Sequence, residues 1–224
     1  MVVGPAVGAV LGGIAAGVVA LAQLVKPEAD LLAAVLGVLV VVGLSGGLHL
    51  DGLADFADAL GSRRDPETML RIMKQSDIGP FGVVAIVAVL LLDVAALTAC
   101  LQAGFGWQAI LIATTASRLT LPWSCRTSIP AARPDGLGAL VAGTVRPAAA
   151  AITTVVVLGI ALALTWSDPA RIVGAADAVL LAVATSLVGT RHARAKLGGI
   201  TGDVLGAIVE IALPAALLAL ALTV

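Results

Sequence analysis

The chain alternates long apolar segments with polar ones, and the apolar segments are close to the length that a bilayer requires. A transmembrane helix needs about 20 mostly apolar residues. Seven segments meet this description, at about 2–25, 31–48, 82–103, 108–124, 147–166, 172–190 and 203–223. We therefore predict an all-α fold, a polytopic membrane helix bundle of about seven transmembrane helices that forms a single integral membrane domain over residues 1–224.

Composition supports a membrane protein and excludes several other classes. Hydrophobic residues make up 60% of the chain and charged residues 12%, whereas soluble domains are about 45–50% apolar and about 25% charged. With 3% aromatic residues and a net charge of −1, the chain lacks the stacking surface and basic patch of a nucleic-acid-binding protein. Cys100 and Cys125 have no metal-ligand spacing, and we expect both to be buried as small hydrophobic residues.

The polar links differ in length and charge. The links at about 49–81, 125–146 and 191–202 hold ten lysine and arginine residues, and the shorter links hold two. Seven crossings place these two sets on opposite faces, so the positive-inside rule assigns the three long links to the cytoplasm. We expect a protein of the cell (inner) membrane, embedded in the lipid bilayer, with its active site facing the cytoplasm.

An acidic motif follows the second predicted span. Asp51, Asp55 and Asp58 are spaced i, i+4 and i+7, so a helix would place all three on one face. Like charges at this spacing destabilise a helix unless a cation lies between them. Carboxylate oxygens suit Mg²⁺, which commonly bridges to substrate phosphates. We predict a metal site at these three residues, while a solvated acidic face remains the alternative.

Other polar residues are candidates for the same site. His49 precedes the aspartates and is a candidate general base or phosphate ligand, although a polar role at the membrane interface is equally consistent with the sequence. Asp203 begins the last span and shares a helix face with Glu210. Three cations are candidate phosphate ligands: Lys74, Arg118 and Arg133. For Arg118, which lies within an apolar segment, an ion pair between helices is the alternative. An acidic metal site with nearby cations is typical of phosphoryl transfer.

Several of these segments together resemble a known family, cobalamin synthase. The resemblance rests on five segments in family order across nearly the whole chain: His49–Leu60, Ile78–Gly82, Ser117–Arg118, Arg133–Gly138 and Gly198–Ala207. The first and last segments are specific, and the middle ones are weaker by themselves.

The resemblance implies an activity: adenosylcobinamide-GDP ribazoletransferase. A hydroxyl of α-ribazole, or of its 5′-phosphate, would attack the cobinamide-linked phosphate of adenosylcobinamide-GDP, release GMP and form adenosylcobalamin or its phosphate, with Mg²⁺ as cofactor. His49, Asp51 and Asp55 would be catalytic, with Asp58 completing the metal ligands. Four residues would bind substrate, namely Lys74, Arg118, Arg133 and Asp203. A homo-oligomer is compatible with these expectations.

Two other classes remain as alternatives. A CDP-alcohol phosphotransferase also uses aspartates at a membrane face, but its motif needs arginine where Asp55 stands. A small-solute transporter would have internal repeats and broken spans with polar sites near the bilayer midplane. Asp93 and Pro214 offer that alternative some support, but no repeat is visible.

Overall fold

A computed structural model describes residues 1–224 and contains eleven helices and no β-strand. The predicted all-α membrane bundle is confirmed. In chain order the helices are α1 Gly4–Val25, α2 Asp30–Leu44, α3 Leu48–Ser62, α4 Pro66–Ile72, α5 Pro80–Gln102, α6 Gly106–Arg118, α7 Thr120–Ser124, α8 Gly136–Val141, α9 Pro147–Thr165, α10 Pro169–Leu197 and α11 Gly202–Ala221.

Proline and small polar residues define where the long helices begin. Proline occupies the first turn of α1, α5, α9 and α10, where its missing N–H would have no helical acceptor. The side chain of Asp168 caps α10 by accepting from the backbone N–H of Ala170 at 3.0 Å, and Thr201 caps α11 by accepting from Val204 at 3.2 Å. The apolar segments therefore start where the sequence satisfies or removes the free backbone donors.

Fewer helices than the seven predicted spans are, by themselves, long and apolar enough to cross a membrane. Five helices (α1, α5, α9, α10 and α11) are long and apolar enough to cross a membrane, and α2 with α3 makes a sixth only as one span bent by 85°. The predicted span 108–124 is interrupted at Leu119, between α6 and α7. Pro122 explains the break, because it offers no N–H to the carbonyl of Arg118 four residues earlier.

Small residues allow α1 and α6 to pack closely in antiparallel directions. A side chain at Gly4 would meet Arg118 and Leu121, and a Cβ at Gly8 would lie 2.7 Å from the carbonyl oxygen of Thr114. Such contacts are typical of membrane helices, which associate through close backbone packing. α6 is thereby buried in the bundle although it is short, and α11 is the most central helix, packed against α3, α5, α6 and α10.

The three long polar links meet at one end of the bundle. Arg133 and Asp203 are 70 residues apart and form an ion pair at 3.2 Å. The N–H of Ala132 donates to the carbonyl of Ile200 at 2.9 Å. At the opposite end, Arg171 donates to the carbonyl of Ala103 at 2.9 Å. We call the end of the bundle where the long polar links meet the loop end. The candidate site residues of the acidic motif and of the Arg133–Asp203 pair lie there.

The packing of α1 on α6 predicts opposite effects for two glycine substitutions in one helix. Gly8→Ala should lower the thermal unfolding midpoint in detergent, since overpacking costs about 1–3 kcal/mol. Gly13 has open space around it, so Gly13→Ala should be neutral or stabilising by up to about 1 kcal/mol. Thermal unfolding followed by circular dichroism measures both. Equal midpoints for the two variants would contradict the proposed contact.

Candidate active site

The acidic motif lies on a helix that turns across the loop end. Gly46 and Gly47 have φ angles of +63° and +70°, a left-handed conformation that glycine adopts without the cost of a Cβ. The chain turns there, so α3 lies at 85° to α2. This turn moves α3 out of the direction of the spans and places Asp51 and Asp55 at the loop end.

Two further glycines hold α3 against α11. A Cβ at Gly52 would lie 2.7 Å from the carbonyl oxygen of Asp203, and a Cβ at Gly206 would lie 3.1 Å from the Cα of His49. A side chain at Gly52 would clash with the backbone of α11, and one at Gly206 would force α3 to shift by a few tenths of an ångström. The first motif of the sequence, on α3, is therefore packed directly on the last, at the start of α11.

Asp55 lies at the centre of the assembled charges. Its side chain is half-buried, and its pKa is raised to about 6 by burial first and then by the negative charges of Asp51, Asp203 and Asp58, while Arg133 lowers it. The sequence interpretation placed these residues in one site, and the structure brings them close enough to interact. A cation here would relieve the repulsion that raises the pKa of Asp55.

Asp203 and Arg133 form the second half of the site. Nη2 of Arg133 donates to Oδ2 of Asp203 at 3.2 Å, and the hydroxyl of Thr201 donates to the same oxygen at 3.2 Å. These residues line a cavity of about 130 Å³ together with the glycine-containing segments that begin α8 and α11. Thr201 was not a candidate, although its position two residues before Asp203 is a helix-cap signal.

Asp58 has a different environment from the other two aspartates of its motif. Its Oδ2 accepts from the backbone N–H of Gly79 at 2.7 Å and its Oδ1 from the N–H of Gly82 at 3.0 Å. These are free donors at the N-terminus of α5, where a carboxylate is favoured. Asp58 therefore anchors α5 to α3, and both of its oxygens already have partners.

Lys74 lies at the rim of the site. Its Nζ is 3.2 Å from Oδ2 of Asp135, and both side chains are largely exposed. Asp135 lines the same cavity as Arg133 and Asp203. The link that follows α4 is thus held beside the glycine-rich segment, but Lys74 makes no direct contact with Asp51 or Asp55.

Arg118 lies inside the bundle and not among the aspartates. Its side chain is buried, and one nitrogen, Nη1, donates to Ser117 at 2.9 Å. It interacts electrostatically with Asp93 and Glu210, both of which are buried. Asp93 joined no motif in the sequence, and only the packing of α5 against α6 and α11 reveals this charged group.

His49 lies on α3 near the aspartates in the sequence and contacts one of the buried charged residues. Its Nδ1 lies 3.5 Å from Oε1 of Glu210, and it lines a largely apolar cavity of about 330 Å³ that Arg118 also reaches. The sequence analysis noted Glu210 through its helical spacing from Asp203 but assigned it no role in the site. Its contact with His49 depends on the α3–α11 packing and is not visible in the sequence.

The donor set fits a magnesium ion only in part. No group of three or more His, Cys, Asp or Glu side chains is arranged to hold a metal ion. Asp51 and Asp55 make no hydrogen bond or ion pair with another side chain and mutually repel. Mg²⁺ is usually bound by one or two carboxylates plus substrate phosphates and water, so these two residues fit it. The predicted third ligand, Asp58, is engaged with α5.

Comparison with known proteins agrees with the arrangement of the motifs. The sequence model of cobalamin-5-phosphate synthase matches residues 1–221. The chain belongs to the cobalamin-5-phosphate synthase family.

Similar proteins carry one name. The adenosylcobinamide-GDP ribazoletransferase of Frankia casuarinae is 40% identical over 236 residues, which cover 100% of this chain and 85% of the relative. The enzyme of that name from Ectopseudomonas mendocina is 42% identical over 229 residues, covering 98% and 86%. No solved structure matches the chain. Membership of the cobalamin-5-phosphate synthase family confirms the resemblance expected from the five segments and favours neither alternative class.

Asp55 and Asp58 should respond oppositely to loss of charge. Because the pKa of Asp55 is raised in the folded state, the free energy of unfolding of the protein falls as pH rises from about 4 to about 6. At about pH 7.5 without metal, Asp55→Asn should therefore be more stable than wild type by roughly 1 kcal/mol, allowing for solvent screening, and this gain should vanish near pH 4. Asp58→Asn should lose about 1–3 kcal/mol because its amide cannot accept both N–H groups.

Thermal unfolding in EDTA across this pH range measures both effects. Asp77→Asn, an exposed carboxylate on the neighbouring link, is the control and should follow wild type. A loss of stability in Asp55→Asn at neutral pH would refute the electrostatic interpretation.

Proposed function

We propose that this chain is an adenosylcobinamide-GDP ribazoletransferase, which joins α-ribazole or its 5′-phosphate to the adenosylcobinamide phosphate and releases GMP. Family membership over residues 1–221 is the observation that carries the assignment. The site supports it, because two carboxylates, an aspartate–arginine pair and a histidine meet at one end of the bundle.

In the proposed reaction, a ribazole hydroxyl forms a bond to the cobinamide-linked phosphorus, and the bond from that phosphorus to the GMP oxygen breaks. His49 is the candidate for the proton of the attacking hydroxyl. Its Nδ1 faces Glu210, which leaves Nε2 to accept that proton. Arg133, already oriented by Asp203, would donate to phosphate oxygens where negative charge develops.

We propose Mg²⁺ as the cofactor, held by Asp51 and Asp55 together with the pyrophosphate of the substrate. When bound, the ion would neutralise charge on the transferring phosphate and on the leaving GMP. Asp58 would contribute by fixing α3 to α5 and thereby orienting the two ligands. Lys74, at the rim, would attract the nucleotide phosphates.

We assign Arg118 and the apolar cavity beside His49 to the acceptor substrate. The benzimidazole base of α-ribazole is apolar and suits the lining of this cavity. Two nitrogens of the Arg118 side chain, Nε and Nη2, have no partner within the protein. A phosphate on the acceptor would satisfy them.

The assay for this function is GMP release. Purified protein with adenosylcobinamide-GDP, α-ribazole and Mg²⁺ should release GMP in equal amount to the cobalamin formed, both measured by chromatography. Asp55→Asn should reduce kcat on the order of 100-fold, whereas Asp77→Asn should retain activity. EDTA should abolish turnover and added Mg²⁺ restore it. A folded wild-type protein that releases no GMP would refute the function, and full activity in EDTA would refute the cofactor.

We propose that the loop end faces the cytoplasm, where its ten basic residues favour it. In an otherwise unchanged chain, Ser62→Cys should react with an impermeant maleimide only from the cytoplasmic side. Ser167→Cys, on the link between α9 and α10 at the opposite end, should react only from outside. The native Cys100 and Cys125 are buried, so their background should be low. The reverse pattern would overturn the orientation.

A further inference from the structure

One sizeable cavity of the protein lies outside the proposed active site. Its volume is about 550 Å³, and it lies between the end of α10 and the segment that follows α7. Three arginines line it, Arg126, Arg191 and Arg194, and no Asp or Glu does. We call it the three-arginine pocket. The sequence analysis used the basic residues of the link at about 191–202, which include Arg191 and Arg194, only to orient the chain in the membrane.

The charges in this pocket are not neutralised within the protein. The four ion pairs of the chain involve His49, Lys74, Arg133 and Arg171, and none of the pocket arginines. Arg126 is held in place by Trp123, whose carbonyl accepts from its Nε at 2.8 Å and whose ring lies 4.9 Å from its guanidinium carbon. Three cations around one cavity repel each other, and a bound anion would stabilise them.

An apolar stripe leads along α10 to this pocket. Val173, Leu180 and Leu187 are spaced by seven residues, so they share one helix face, and they are 54%, 61% and 40% exposed. Leu187 lines the pocket itself. Because α10 is one of the candidate membrane spans, lipid chains would cover this stripe in a bilayer. A ligand that fits both features has an anionic head and an apolar tail.

We propose that the three-arginine pocket binds the headgroup phosphate of an anionic phospholipid, with an acyl chain along the α10 stripe. Basic pockets at the cytoplasmic ends of membrane helices favour such lipids. The pocket includes Pro130 and Gly198. The carbonyl of Pro130 accepts from the N–H of Ile200 at 3.0 Å, so the lipid would stabilise the two segments that carry Arg133 and Asp203.

Trp123 provides a reporter for this proposal. The other tryptophans, Trp107 and Trp166, lie near the opposite end and can be replaced by phenylalanine. In nanodiscs, phosphatidylglycerol with a spin label high on its acyl chain should quench Trp123 more strongly than the matching phosphatidylcholine. In Arg191→Gln/Arg194→Gln, the preference for the anionic lipid should fall on the order of tenfold.

The control variant is Arg64→Gln/Arg71→Gln, which removes two exposed arginines at the same end but outside the pocket and should keep the preference. Equal quenching by both lipids in the wild-type background would overturn the proposal. Inorganic phosphate and GMP distinguish a soluble source of the phosphate: relief of quenching by either at micromolar concentration would mean that the pocket binds substrate or product instead. The lipid result does not depend on GMP release, so either proposal can fail alone.

Discussion

Helix α3 can lie against α11 because Gly52 and Gly206 remove the side chains that would hold the two helices apart. This contact determines most of the site. It sets Asp55 within electrostatic reach of Asp203 and Arg133 and brings His49 to Glu210. Close backbone packing, which stabilises membrane helices in general, here also positions the polar residues. Substitutions that separate α3 from α11 would therefore disturb the fold and the site together.

The bundle contains two groups of ionisable residues with different surroundings. The aspartates of α3 and the Arg133–Asp203 pair lie at the loop end, where the side chains of Arg133 and Asp203 are partly exposed. Asp93, Arg118 and Glu210 lie buried among α5, α6 and α11. Buried charges in a membrane protein are costly and generally face one another or a cavity. His49 contacts Glu210 of the buried group and is two residues from Asp51 of the other, so it offers one route by which a change in the buried group would affect the proposed chemistry.

Much of the fold could be predicted from the sequence because long apolar segments and proline-marked starts are local signals. That the three long polar links lie at one end of the bundle could be predicted because the predicted spans alternate between long and short links. The break between α6 and α7 at Leu119 was not predicted, because a hydropathy pattern carries no information about the backbone N–H that Pro122 lacks. Similarly, the spacing of Asp51, Asp55 and Asp58 indicated one shared face, but not that Asp58 contacts the N-terminus of α5. Contacts between distant segments, such as that of His49 with Glu210, have no local signal.

The engagement of Asp58 with Gly79 and Gly82 has a consequence for the order of binding in the proposed reaction. With only Asp51 and Asp55 available, the protein offers too few ligands to retain a strongly hydrated ion by itself. Asp51 and Asp55 would then bind the ion weakly by themselves and more strongly when a substrate pyrophosphate lies beside them. The affinity of the protein for the ion would therefore rise with nucleotide concentration.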